Sequence, residues 1–237
     1  MKSFIKNWGI AIGIGILCVH FLAQLLGEQY KMMENISKAL LLPSLMLYLY
    51  VQPNPYNKPG KNLLMMGLLG SFLGDVFLIS KSMFIPGMIA FMMTHVFNIL
   101  FFSKIYGPSQ PRSTKFYIST FLLVSFCFFM YFQLQGGMGK LIYPILVYMV
   151  LISTAALMAI HVSNNKATKI IANSFWTPGM LFFLSSDTIL AFNKFDWSIH
   201  SPIPHIGLII MVTYGLAQFF LIKGFQLYFT TAPKEAA

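Results

Sequence analysis

The chain has 237 residues, of which 57% are hydrophobic and only 9% charged, and it carries a formal net charge of +10. Its apolar residues fall in long blocks rather than short alternating runs, which excludes an ordinary soluble domain and indicates an integral membrane protein. The positive charge would suggest nucleic acid in a soluble chain, but here it alternates by side along the sequence, so no nucleic-acid partner is expected.

At about 20 apolar residues per crossing, the blocks predict eight helices, roughly 8–26, 36–51, 62–80, 83–103, 115–134, 141–162, 169–193 and 203–229. The expected fold is all-α: a polytopic membrane helix bundle forming a single domain over 1–237, with a short second helix and a long last one. Lys and Arg mark the sides. Eleven of the sixteen lie at the two ends and in every second loop (Lys2, Lys6, Lys58, Lys61, Lys104, Arg112, Lys115, Lys166, Lys169, Lys223, Lys234), and five lie in the loops between (Lys31, Lys38, Lys81, Lys140, Lys194). By the positive-inside rule both termini are cytoplasmic, and an even number of spans agrees with that. The excess charge then meets anionic headgroups of the membrane lipids. The short loops suit a bacterial inner membrane.

The first block follows Met1-Lys2-Ser3 and has no small-x-small cleavage site, so it reads as a helix rather than a removable leader. Cys18 and Cys127 stand in separate spans, as packing residues rather than a disulfide or metal pair. Trp8, Trp176 and Trp197 fall near predicted helix ends, as interface anchors do. In the second helix, Lys38 stands near the start, where it either snorkels to the interface or contacts a lipid phosphate. Three prolines in Gln52–Gly60 end that helix.

Two of the six acidic residues lie well inside apolar stretches, Asp75 in the third helix and Asp187 in the seventh. A carboxylate within a span costs at least a few kcal/mol, so it faces the interior of a bundle and serves a purpose. Gly67, Ser71 and Asp75 share one face at i, i+4, i+8, beside a small-xxx-small pair, Gly70 and Gly74. One reading is a packing seam whose aspartate caps a neighbour; the other places Asp75 in a polar cavity. The fourth helix carries Thr94, His95 and Asn98, read either as an interhelical hydrogen bonder with its neighbours or as groups that orient an aspartate or bind a phosphate.

The seventh helix has Asn173, Trp176, Pro178 and Gly179 ahead of Ser186-Asp187-Thr188, with the proline expected to kink it. Asp187 either pairs with Lys194 or lines the same cavity as Asp75, and Asn193 extends the polar surface outward. The last helix offers Tyr214 and Gln218 at i, i+4. His200, His205 and Asp196 invite a zinc reading, but their spacing suits no ligand pair on one turn and there is no HExxH or Cys/His cluster. No metal and no cofactor are expected. There is no Gly-x-Ser-x-Gly elbow and no phosphate-binding loop.

Asp75 stands about 13 residues, roughly 20 Å, beyond the cytoplasmic start of its helix, and Asp187 about 18 residues, roughly 27 Å. The two helices run the same way, so both carboxylates belong toward the outer side, at depths that let them share one cavity. Phe72-Leu73-Gly74-Asp75 before Lys81 echoes Leu184-Ser185-Ser186-Asp187 before Lys194. A four-plus-four parallel repeat of 1–110 and 111–237 would produce the echo, as would chance.

These pieces together resemble the YhhN/TMEM86 family of membrane proteins. They are Ser71-Phe72-Leu73-Gly74-Asp75; Phe91 through Thr94-His95 to Phe101-Phe102; the run from Pro178 to Phe195; and Tyr214-Gly215-Leu216-Ala217-Gln218 with Leu221-Ile222. Lys38 with Pro43 is similar to the family's lysine-proline start of the second helix, except that there the proline directly follows the lysine. The resemblance implies eight spans and lysoplasmalogenase activity: hydrolysis of the vinyl-ether bond of a lysophospholipid to a fatty aldehyde and glycerophospho-ethanolamine or -choline. That chemistry passes through an oxocarbenium ion, as in glycosidases, and calls for a protonated acid and a carboxylate. Asp75 and Asp187 are then the acid/base pair. His95, Asn98 and Gln218 orient them or the water, and Lys38, Ser71, Asn193 and Tyr214 line the substrate. Two rivals remain: a proton-coupled transporter using the same carboxylates, and a metal-dependent lipid hydrolase using the histidines.

Overall fold

Prolines and glycines cut the chain into the helices that its apolar blocks supply. The computed structural model describes residues 2–196 and 203–231. All regular structure among them is helical: α1 (Lys2–Leu26), α2 (Lys31–Val51), α3 (Lys61–Phe77), α4 (Phe84–Ile105), α5 (Thr114–Met138), α6 (Ile142–Val162), the single turn α7 (Lys169–Ile171), α8 (Thr177–Phe195) and α9 (Ile206–Thr230). The described residues sort into two compact units, one holding those up to Phe101 together with 225–231, the other holding Phe102–Gly224.

In the first unit α1 packs along α2, and α2 against α3. Helix α2 opens at Lys31, earlier than hydropathy indicates, after a 3₁₀ turn at Glu28–Tyr30. Its first turn is polar, held by a 2.9 Å ion pair between Lys31 and Glu34, and so escapes an apolarity criterion while being helical. Lys38 therefore lies well inside the helix rather than at its start. Helix α3 stops at Phe77, short of the expected boundary, and a 3₁₀ turn at Lys81–Met83 leads into α4. Cys18 is exposed on α1, so it does not pack between helices as expected.

The proline loop does more than end α2. Asn54 clamps Lys58, accepting from its backbone N–H at 2.9 Å and donating to its carbonyl at 2.8 Å. The Lys58 ammonium then donates to the carbonyls of Tyr228 (2.6 Å) and Thr231 (2.8 Å), at the end of α9. Lys61 does the same for Tyr50 (2.9 Å) and Gln52 (2.7 Å), at the end of α2. Helix C-termini leave carbonyls without amide partners and concentrate negative potential, which a lysine satisfies on both counts.

In the second unit α5 packs on α6, and both pack on α8. The predicted seventh helix is broken in three. A π-turn at Ala172–Trp176 joins α7 to α8, and Pro178 sits in the first turn of α8. Proline lacks an amide donor and crowds the carbonyl four residues back, and the wider π spacing accommodates both. The π-turn also turns Trp176 inward. Its ring is fully buried, 5.5 Å from that of Phe102, where Gly224 leaves the space that a Cβ would fill. Trp176 is thus a core residue and not the interface anchor its position suggests, whereas Trp8 is 57% exposed. Trp197 lies outside the described residues.

Among the described residues, four stretches are long and apolar enough to cross a membrane: Lys2–Leu26, Lys81–Ile105, the run Thr114–Val162 that contains α5 and α6, and Ile206–Thr230. Of the rest, α3 has only 17 residues and α2 carries Lys31, Glu34 and Lys38.

Candidate active site

The polar residues that the sequence singles out gather in two clusters, one in each unit. In the first, Gly70 and Gly74 bring α3 against α4. A Cβ on Gly70 would lie 2.8 Å from the carbonyl oxygen of Ala90, and one on Gly74 would lie 2.5 Å from the Phe91 ring. The approach places Thr94 beside Ser71. Thr94 donates to the carbonyl of Gly67 at 2.9 Å, and its hydroxyl shares a 3.1 Å hydrogen bond with that of Ser71.

The contacts pair residue 67 with 94 and 98, 70 with 90 and 94, and 74 with 91, an antiparallel register. On that register His95 falls near the level of residue 68, and Asp75 lies about two turns (~10 Å) farther along α3. All five polar side chains are buried: Ser71 and His95 are fully so, and Asp75, Thr94 and Asn98 are at most 4% exposed. The glycine seam and the polar cluster are one feature, since the close approach of backbones is what shuts these groups away from water. Lys38 is half-buried on α2, next to Ser37, whose hydroxyl lies 3.3 Å from His20 Nδ1.

The second cluster centres on Asp187, half-buried on α8. The Tyr148 hydroxyl of α6 donates to its Oδ2. Sequence spacing missed Tyr148, because its helix carries no other signal at that point and the two residues are 39 apart. A tyrosine amid the aliphatic residues of a span, with a hydroxyl that must find a partner, was the available clue. Ser186 donates to the carbonyl of Ile210 at 3.0 Å, and the rings of Phe183 and Tyr214 meet edge to face at 5.5 Å. With Gly179 against Leu221, these contacts make α8 and α9 antiparallel. Tyr214 then lies about one turn (~6 Å) from the level of Asp187, and the buried Gln218 about two (~12 Å). Asn193, six residues past Asp187, is rotated roughly 240° from it around α8 and does not share its face.

Asn173 is in the π-turn, where its Oδ1 accepts from Lys115 at 2.8 Å. His205 stands just before α9 with φ 52°, and His200 lies outside the described residues. No three His, Cys, Asp or Glu side chains converge as a metal site among the described residues.

The sequence profile of the YhhN family matches residues 33–225, a range that contains both clusters. The chain belongs to the YhhN family. Two curated human proteins are similar to this YhhN chain over most of its length. Lysoplasmalogenase TMEM86A is 27% identical over 210 residues, covering 85% of this chain and 81% of the human one. Lysoplasmalogenase TMEM86B is 26% identical over 202 residues, covering 85% and 79%. No solved structure matches. Every stretch on which the family resemblance rests, from Ser71 to Ile222, falls inside the matched range.

Proposed function

We propose that the protein is a lysoplasmalogenase-like hydrolase that cleaves the vinyl-ether bond of a lysophospholipid within the membrane. The observation that carries this reading is the similarity to two lysoplasmalogenases along 85% of the chain. The buried carboxyl of Asp75 and the hydrogen-bonded carboxylate of Asp187 support it.

Vinyl-ether hydrolysis consumes one water. A carboxylic acid gives its proton to the alkenyl carbon beta to the ether oxygen, and the double-bond electrons form the new C–H bond. The resulting oxocarbenium ion is stabilised by a nearby carboxylate, which also takes a proton from the attacking water. The hemiacetal so formed collapses to a fatty aldehyde and releases the glycerophospho-headgroup as an alcohol. Asp75 and Asp187 are the residues assigned to these two roles. Ser71, one turn before the first on α3, meets Thr94 of α4, whereas Tyr148 holds the second in one orientation and Tyr214 lies about one turn from its level. Water exclusion matters as well, because an oxocarbenium ion in open water is trapped without control.

The test is incubation of the purified protein with a lysoplasmalogen and with its saturated alkyl-ether analogue, followed by detection of aldehyde. Aldehyde from the vinyl ether alone is the expected result. No release from either, with uptake of an unchanged solute driven by a proton gradient, would replace the hydrolase with a transporter. Loss of activity on chelation would point to a metal-dependent hydrolase.

A further inference from the structure

Helix α6 presents Tyr148, Ile152, Ala155 and Ala159 along one face, at i, i+4, i+7 and i+11. The last three are buried, and the two alanines let α8 approach closely. Thr177 of α8 donates to the carbonyl of Ala159 at 3.5 Å, and Tyr148 donates to Asp187 Oδ2. Going from 148 to 159 on α6 thus corresponds to going back from 187 to 177 on α8, so the two helices lie antiparallel over about 15 Å. Tyr148 reaches Asp187 across a packed interface, which holds the phenol and the carboxyl in register.

Helix α5 runs parallel to α8, since Lys115 donates to Asn173 and a Cβ on Gly137 would meet the carbonyl oxygen of Phe195, both pairs 58 residues apart. Its Tyr131 falls near the level of Asp187, but with Cys127, Leu146 and Val150 it lines a groove between α5 and α6. Leu146 and Val150 are about 200° around α6 from Tyr148, so that groove opens on the far side of the helix. The π-turn contains no titratable side chain, and Tyr214 of α9 lies about one turn from the level of Asp187. On α8 itself Lys194 shares the face of Asp187 at i+7, roughly 10 Å further on, and Asp196 is on the opposite face. A phenol that donates to a carboxylate makes a charge-assisted hydrogen bond, which the neutral acid forgoes, and Lys194 adds positive potential on the same face. Asp187 also keeps exposed surface through which water arrives, whereas Asp75 is only 3% exposed.

We propose that Asp187 is the carboxylate of the pair, that Tyr148 is the positioning residue that keeps it ionised and aimed, and that Asp75 is the proton donor. The inference rests on the hydrolase reading and divides between the two aspartates the roles that it leaves open. The Asp75 carboxyl gives its proton to the alkenyl carbon beta to the ether oxygen, and the double-bond electrons form the C–H bond. Asp187 faces the oxocarbenium ion and takes a proton from the water that adds to it. As the hemiacetal breaks, Asp187 passes that proton to the departing glyceryl oxygen, and the hemiacetal hydroxyl returns a proton to Asp75. One water is consumed and both side chains end as they began. The Tyr148 phenol keeps its own proton throughout.

The experiment measures kcat/KM for a lysoplasmalogen against pH with the purified full chain. The acidic limb of the profile reports the base that must be ionised, and the basic limb the acid that must be protonated. Tyr148→Phe should move the acidic limb to higher pH by about one unit or more and leave the basic limb in place. Replacing Tyr148 with 3-fluorotyrosine, a stronger donor of nearly the same size, should move the acidic limb to lower pH. Tyr131→Phe, which removes a phenol at the same level on the far side of α6, should move neither limb. Infrared difference spectra at neutral pH supply a readout without turnover: Asp187→Asn should remove carboxylate bands, and Asp75→Asn the carbonyl band of a protonated acid. Movement of the basic limb in either Tyr148 variant would reverse the two roles, as would a protonated Asp187 in the infrared. Unmoved limbs in both would leave Tyr148 a packing residue, and either result overturns the assignment. Absence of aldehyde from the unaltered protein overturns the hydrolase reading and the roles with it, while the infrared spectra still decide which aspartate carries the charge.

Discussion

Asp75, buried on α3, and Asp187, held by Tyr148, are the residues whose cost most needs a return. Asp75→Asn and Asp187→Asn should each lower turnover about 10²- to 10⁴-fold, the usual scale of a general acid or base, with the protein still folded. Near-normal aldehyde release from both would remove them from the chemistry. Tyr148→Phe keeps the ring and deletes only the donor to Asp187. A hydrogen bond to a charged group is worth about 1.5–3 kcal/mol, so kcat should fall roughly 10- to 100-fold while KM and Tm hold. Lys58 tests stability rather than chemistry. Partial burial holds its ammonium below the usual lysine range, yet it donates to two carbonyls at the end of α9. Lys58→Met should cost about 1–3 kcal/mol in unfolding experiments, against almost nothing for an exposed lysine such as Lys6. The sequence presented Lys58 and Lys61 only as topology markers, because which carbonyls a long flexible side chain reaches depends on where other helices end.

At the scale of the element, the Gly70–Gly74 pair on α3 is where close helix packing shuts polar side chains away from water. A methyl group on Gly70 meets the backbone carbonyl of Ala90, which cannot swing aside as a side chain can. Gly70→Ala should therefore destabilise by about 1–3 kcal/mol through overpacking, and should also disturb the Ser71–Thr94 contact. Gly15, exposed on α1 with nothing within 4 Å of a new Cβ, supplies the contrast. Gly15→Ala should leave the protein as stable or up to about 1 kcal/mol more so, through helix propensity alone. Thermal unfolding of the two variants side by side distinguishes a true seam from a chance spacing. The i, i+4 arithmetic on α3 was legible because a helix fixes which residues share its face. The start of α2 and the π-turn before α8 were not. Hydropathy misses a polar helical turn, and a proline foretells a distortion without saying whether a kink or a π-turn absorbs it.

For the molecule as a whole, 57% hydrophobic residues and stretches such as Ile206–Thr230 predict a protein that stays with the membrane under alkaline carbonate and leaves it only with detergent. Reporter fusions at both ends should place each terminus in the cytoplasm if the crossings are even in number. A terminus on the other side would contradict the reading of Lys and Arg as inside markers. Membrane character and all-helical class were legible in the sequence alone, since the cost of putting open backbone into hydrocarbon leaves few alternatives. Family membership was also legible there, from short motifs in fixed order. Only the tertiary structure gave Asp187 its tyrosine, turned Trp176 into the core and set Ser71 against Thr94. Those outcomes depend on register between helices, and register follows from how side chains and glycines interlock, which the periodicity of a single helix does not contain.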